Sequence, residues 1–177
     1  GWDYANSPLQ TGSTFKIMTL AAALQQGISL DTNYSSAPYQ LPGWDVVNND
    51  MGGGCGVCNL REATKQSLNT SFLRLQADLK NGTQDTADMA HALGVAKSLP
   101  GIEKTLTEKG KQPFEGIVLG QYQSRPLDMA TAMSTLANQG VWHNPHFVQR
   151  VENAAGEVLY EHPEDGGERR VSSNVAN

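Results

Sequence analysis

At 177 residues the chain suits one domain, or a large piece of one, with a real hydrophobic core, and is too short for two full domains. Thirteen Lys and Arg against eighteen Asp and Glu leave a formal charge of -5, with no basic cluster to track a phosphate backbone, so nucleic acid is not an expected partner. The most apolar stretch, residues 17–24, is interrupted by Thr19 and falls far short of the roughly 20 apolar residues that a bilayer span requires. The chain opens on Gly1-Trp2-Asp3 rather than Met, which leaves targeting or anchoring segments upstream an open matter.

In chain order, the first helix is predicted over residues 13–26, with Ser13 as N-cap and Gly27 as terminator. Phe15, Ile17, Met18, Leu20, Ala21, Ala22, Ala23 and Leu24 make it apolar on most sides, and such a helix is buried. Residues 29–56 are rich in Asn, Asp, Pro and Gly without sustained periodicity, which predicts a long loop with short strands at most. Long loops inside a domain are often functional, and Trp44 lies in this one. At its end stand the two cysteines, Cys55-Gly56-Val57-Cys58, beside a glycine cluster. A zinc site would need His143 and His146 as a second pair, and a redox pair would open a helix in a βαβ unit that is not recognisable here. A short-range structural disulfide, formed in an oxidising compartment, is the favoured reading, and two unpaired thiols are the alternative.

Asn59 followed by Glu62 has the form of a capping box for a helix over residues 60–66. A second helix, over residues 70–80, carries Phe72, Leu73, Leu75 and Leu79 on its apolar side, and Ser67-Leu68-Asn69 separates the two. Helices are also predicted over residues 83–93, stopped by Gly94, and over residues 126–138, started by Pro126 with Gly140 past the end. Residues 147–152 and 157–161 form a β-hairpin pattern around Asn153-Ala154-Ala155-Gly156. Residues 166–177 are expected to be a flexible or cut end.

The chemistry is concentrated in two short motifs. In Ser13-Thr14-Phe15-Lys16 the serine and lysine are three apart, which makes them neighbours on a helix about 5 to 6 Å apart at Cβ. Helical side chains lean toward the N-terminus, so the Lys16 amine reaches back to the Ser13 hydroxyl. To accept a proton Lys16 must be neutral, which means lowering its pKa from about 10.4 toward 7 at about 4 to 5 kcal/mol. Burial and the positive end of the helix dipole both act in that direction, and the dipole also favours an alkoxide on Ser13. Alone, this pattern arises by chance on the order of once in a chain of this size, and the alternative is an N-cap serine followed by a snorkelling lysine. The second motif, Ser67-Leu68-Asn69, lies between helices. In an extended turn residues two apart face the same way, so Ser67 and Asn69 can share one cavity, while the bland alternative makes Asn69 the cap of the next helix.

These two motifs, in the contexts Ser7-Pro8-Leu9-Gln10-Thr11-Gly12-Ser13-Thr14-Phe15-Lys16 and Ser67-Leu68-Asn69-Thr70-Ser71-Phe72, resemble the transpeptidase domain of penicillin-binding proteins, closest to the bifunctional class A enzymes of actinobacteria. The stretches around Leu119-Gly120-Gln121, Pro126-Leu127-Asp128-Met129-Ala130 and Ala137-Asn138-Gln139-Gly140-Val141 extend the resemblance over nearly the whole chain. It implies an α+β fold of the penicillin-binding and β-lactamase-like type, a helical subdomain beside an antiparallel sheet, present here as a helix-rich fragment. It further implies that Ser13 is acylated by peptidoglycan stem peptides or β-lactam antibiotics, with Lys16 as its base, Ser67 as proton relay and Asn69 orienting the substrate amide. The implied location is the extracytoplasmic face of the bacterial plasma membrane, with an anchor elsewhere, and no cofactor is implied. The family's third motif, Lys-Thr/Ser-Gly, does not occur: Lys104-Thr105 is followed by Leu106, and Lys109-Gly110 lacks the hydroxyl residue. The expectation is therefore a partial domain over residues 1–177, lacking its opening strands and third-motif strand, poorly active alone and completed by a second chain.

Three rival readings stand beside this one. A β-lactamase-like hydrolase would need a glutamate base, but Glu62, Glu103, Glu108 and Glu115 lack the expected loop context. A β-lactam sensor would use the same nucleophile without turnover, and a helical interaction module would use both motifs only as caps. His91, His143, His146 and His162 have no carboxylate at a telling spacing and read as surface or core filling, and Trp2, Trp44 and Trp142 read as packing anchors.

Overall fold

The computed structural model describes the backbone of residues 1–177 and every side chain except that of Met51. The α-helices are α1 (Lys16–Gln25), α2 (Leu60–Lys65), α3 (Asn69–Ala77), α4 (Thr83–Leu93), α5 (Pro126–Ala137) and α6 (Ser173–Ala176). The strands form two-stranded antiparallel ladders: β1 (Leu9–Gln10) with β4 (Gln123–Ser124), β2 (Asn33–Ser35) with β3 (Val57–Asn59), β5 (Val141–Trp142) with β8 (Glu168–Arg169), and β6 (Arg150–Glu152) with β7 (Val158–Glu161). The fold is thus α+β and rich in helix.

The apolar character of α1 is satisfied by burial, since Met18, Ala21, Ala22 and Ala23 lie in the core and α1 packs on α3, α4 and a 3-10 turn at Glu115–Leu119. Phe72 and Leu75 of α3, Leu93 of α4, and Ile117 and Val118 of that turn fill the same core. A buried hydrogen-bond chain crosses it. Thr19 and Thr86 meet at 2.9 Å, the Thr86 hydroxyl donates to Gln76 Oε1 at 2.9 Å, and Gln76 Nε2 donates to the Glu115 carbonyl at 2.9 Å. Every polar group in that chain has a partner, so it fixes the register of α1, α3 and α4 without the penalty of an orphaned donor.

Two of the expected chain segments differ in the structure. The helix expected from Ser13 starts as a 3-10 turn at Gly12–Phe15, α1 proper begins at Lys16, and Ser13 makes no capping bond. Residues 166–177, expected to be a flexible or cut end, are packed rather than loose: β8 pairs with β5, Val171 is buried, and Val175 packs on the core. The reason lies at Gly140, whose carbonyl accepts from the N–H groups of Arg170 (2.9 Å) and Val171 (3.2 Å). Any Cβ there would overlap the Val171 carbonyl, so only glycine admits this approach.

The β6–β7 hairpin has the predicted pairing, with Val151 opposite Tyr160, and its strands are exposed throughout. Of the tryptophans, Trp2 is 74% exposed and Trp44 is also exposed, so neither is a packing anchor. Trp142 is partly buried under the Arg170 guanidinium, 3.8 Å from its ring.

Candidate active site

The 3-10 turn that carries Ser13 has a chemical consequence. With three residues per turn, side chains at i and i+3 eclipse. Ser13 and Lys16 are therefore aligned along the turn axis, and Lys16 Nζ lies 2.9 Å from Ser13 Oγ. The turn rests on backbone from the other side, because Gly120, with φ +77°, lies so close to Gly12 that a Cβ would overlap the Gly12 backbone.

The second motif reaches the same point by way of a helix end. The Ser67 N–H donates to the Thr64 carbonyl and the Leu68 N–H to the Ala63 carbonyl, both at 3.0 Å, which is a Schellman cap on α2. Ser67 occupies the left-handed position of that cap, at φ 54°. Leu68 is extended and Asn69 begins α3, so the expectation of a simple extended turn is replaced by a cap running into a helix start. Asn69 makes no cap bond. That task falls to Asn49 in the long loop, whose Oδ1 accepts from the Thr70 N–H and hydroxyl, both at 3.1 Å.

All four expected side chains converge. Besides Ser13, Lys16 Nζ contacts the Ser67 carbonyl at 2.7 Å, Ser67 Oγ at 2.9 Å and Asn69 Oδ1 at 2.7 Å. Two of these acceptors, the Ser67 carbonyl and Asn69 Oδ1, cannot donate and so take two N–H bonds. The hydroxyls can do either, which leaves the third amine position free to act as N–H or as a lone pair receiving the Ser13 proton. Lys16 is only 3% exposed. Burial brings its pKa down to about 8, against a smaller opposing pull from the Asp50 carboxylate. The arrangement can thus supply a neutral amine next to a hydroxyl in mildly alkaline water.

Sequence reasoning missed the loop behind Asn69: its Nδ2 donates to the Asn48 carbonyl and to Asp50 Oδ1, each at 3.3 Å. The available signal was the Asn48-Asn49-Asp50 run in a long loop, but nothing in it named Asn69 as the target. Cys55 and Cys58 are bridged, with Cα atoms 5.8 Å apart. The histidines stay away from this site. His143 does have a carboxylate partner, Asp165 at 2.5 Å, brought in by the loop that precedes β8, and His146 stacks on His162 at 3.6 Å.

A serine hydroxyl, a buried amine, a second serine and a carboxamide are gathered where α1 and α3 begin and α2 ends, a set of groups that serine acyl transfer can use. A family profile described as the penicillin binding protein transpeptidase domain matches residues 3–177, and the chain belongs to that family. It is 52% identical to penicillin-binding protein 1A of Mycolicibacterium smegmatis over 99% of this chain and 23% of that protein. It is 32% identical to the peptidoglycan D,D-transpeptidase PbpA of the same organism, over 93% of this chain and 36% of that one. The structure of PonA1 from Mycobacterium tuberculosis in complex with penicillin V superimposes with a TM-score of 0.91 at 49% identity, covering 99% of this chain and 46% of the other. The chain therefore spans less than half the length of each of these relatives.

Proposed function

We propose that the protein is a D,D-transpeptidase that cross-links peptidoglycan stem peptides through an acyl-enzyme on Ser13. Ser13 Oγ attacks the carbonyl between two D-alanines, so that the O–C bond forms as the amide C–N bond breaks. The Ser13 proton passes to Lys16 and, through Ser67, to the departing amine of the terminal D-alanine. An amine of a neighbouring stem then attacks the ester, returns a proton to Ser13 by the same groups, and leaves as the cross-linked amide. Asn69 orients the substrate amide, and the Ser13 N–H at the helix start serves as one oxyanion donor.

The observation that carries this reading is the single amine of Lys16 within 2.9 Å of both serine hydroxyls and 2.7 Å of the Asn69 amide. β-Lactams resemble the D-alanyl dipeptide, and PonA1 has been solved with penicillin V, which supports Ser13 as an antibiotic target. Among the described residues, no glutamate is a hydrogen-bond partner of these four, which favours transfer over a β-lactamase-like hydrolysis. The bridged cysteines support a place at the extracytoplasmic face of the bacterial plasma membrane, with the anchor outside residues 1–177. The third-motif element, a further oxyanion donor and carboxylate-binding hydroxyl, comes in this reading from the rest of the domain, as a second chain where the domain is split.

Labelling of the full-length protein with a fluorescent penicillin, resolved by denaturing electrophoresis, tests the proposal. Wild type is expected to carry covalent label and Ser13→Ala none. An unlabelled wild type, or equal label on Ser13→Ala, overturns it.

A further inference from the structure

The Asn69 amide is gripped at both ends. Its Oδ1 accepts from Lys16 at 2.7 Å, and its Nδ2 donates to the Asn48 carbonyl and Asp50 Oδ1 at 3.3 Å. Those last two groups only accept. A flipped amide would set Oδ1 against two oxygens and turn an N–H group toward the lysine hydrogens, so the loop fixes the direction of the amide. The loop is itself pinned at its next residue. Asn49, 9% exposed, donates to the Ser36 carbonyl at 2.9 Å while accepting from Thr70. Ser36 Oγ in turn accepts from the Cys55 N–H at 2.9 Å, next to the disulfide.

We propose that Asp50 is a positioning residue for acyl transfer, whose carboxylate sets the polarity of the Asn69 amide and thereby directs the lone pair of Lys16 at Ser13. The inference rests on the acyl-enzyme reading and deepens it. Asn69 Oδ1 engages one lysine hydrogen and the Ser67 carbonyl a second, and what remains of the amine faces the hydroxyls. With Asp50 gone, the Asn48 carbonyl alone holds Nδ2, so the amide is oriented less firmly and the acceptor that directs Lys16 is loosened. The carboxylate also acts by charge. Around Lys16, Ser13 from the 3-10 turn, Ser67 from the α2 cap, and Asn69 and Phe72 from α3 are all uncharged, and Asp50 is the charge that opposes the effect of burial. Without it the amine becomes neutral at a lower pH.

The test is the second-order rate constant of fluorescent-penicillin acylation in the full-length protein, measured across pH for wild type, Asp50→Asn and Asp50→Ala, with thermal unfolding as a folding check. Wild type should rise with pH through a midpoint near 8, where Lys16 loses its proton. Asp50→Asn keeps a hydrogen-bonding oxygen but not the charge, so its midpoint should move to lower pH with a plateau within about threefold of wild type. Asp50→Ala removes both, so its midpoint should move likewise and its plateau fall about tenfold, the value of one hydrogen bond to a charged group. An Asp50→Ala profile superimposable on wild type overturns the proposal, as does a plateau loss in both variants with no midpoint shift, the result of a merely structural role. If Ser13→Ala stays unlabelled in either of those cases, the acyl-enzyme reading survives and this inference alone falls.

Discussion

Ser67 stands where a Schellman cap usually has glycine, because the left-handed conformation puts a Cβ close to the following carbonyl oxygen at about 1–2 kcal/mol. At φ 54° the serine accepts that strain and in return delivers both its hydroxyl and its carbonyl to Lys16. An observed outlier at a site of this kind points to function. Ser67→Gly is therefore expected to separate stability from chemistry. Relief of the strain exceeds the about 0.5–1 kcal/mol of chain entropy that glycine adds, so unfolding free energy should be unchanged or up by as much as about 1 kcal/mol. If Ser67 is the proposed proton relay, acylation should fall on the order of 10²–10⁴-fold. Denaturant unfolding and penicillin-labelling rates on the same preparation check both halves, and a variant that is clearly destabilised contradicts the account of Ser67 as a strained functional residue.

Among elements, the turn bearing Ser13 depends on its contact with the end of the turn at Glu115–Leu119, where Gly120 lies against Gly12. Gly120→Ala adds a methyl group both to a left-handed residue and into a backbone contact, which together cost about 2–5 kcal/mol. Displacement of Ser13 by even about 1 Å should cost roughly 10²-fold in acylation. Gly156→Ala is the control: at φ +82° it has the same backbone strain but open space around its Cβ, so it should lose only the strain component and keep full acylation. Equal acylation in both variants would mean that the Gly12 contact does not hold the nucleophile. The contrast also shows what a sequence can and cannot reveal. α4 and α5 were legible because Gly94 and Pro126 mark their ends and apolar spacing marks their faces. The Ser13–Lys16 contact was legible because three residues along one helical turn are local. That Asn49 caps α3, that Gly120 supports Gly12, and that Val171 closes on Gly140 was not, since each joins positions about 20 residues or more apart through shape rather than pattern. Serine is also a poor signal for a left-handed cap, so the sequence shows Ser67 close to Asn69 but not the helix end that brings it to Lys16.

For the molecule as a whole, the long loop links the fold's covalent staple to its chemistry. From the disulfide the chain of contacts runs through Ser36 to Asn49, and from Asn49 to the start of α3, where Asn69 sits. The staple itself closes a small ring. For cysteines three residues apart the chain-entropy argument gives about 2 kcal/mol, much less than a bridge across a long loop would supply. The remaining ties of the region are not covalent: the β2–β3 pairing, the Ser36 N–H to the Gly56 carbonyl at 2.8 Å, and the two bonds of Asn49 to Thr70. Since these persist without the bridge, the Cys55→Ser, Cys58→Ser double variant should lose no more than about 2 kcal/mol and stay folded. Its acylation should drop by less than about tenfold, because Asn49 still holds Asp50 behind Asn69. Thermal unfolding and penicillin labelling of the full-length double variant measure the two quantities. A collapse of labelling at nearly unchanged stability would assign to the disulfide the alignment that the geometry gives to Asn49, and the contact chain would then have to be read from the covalent end.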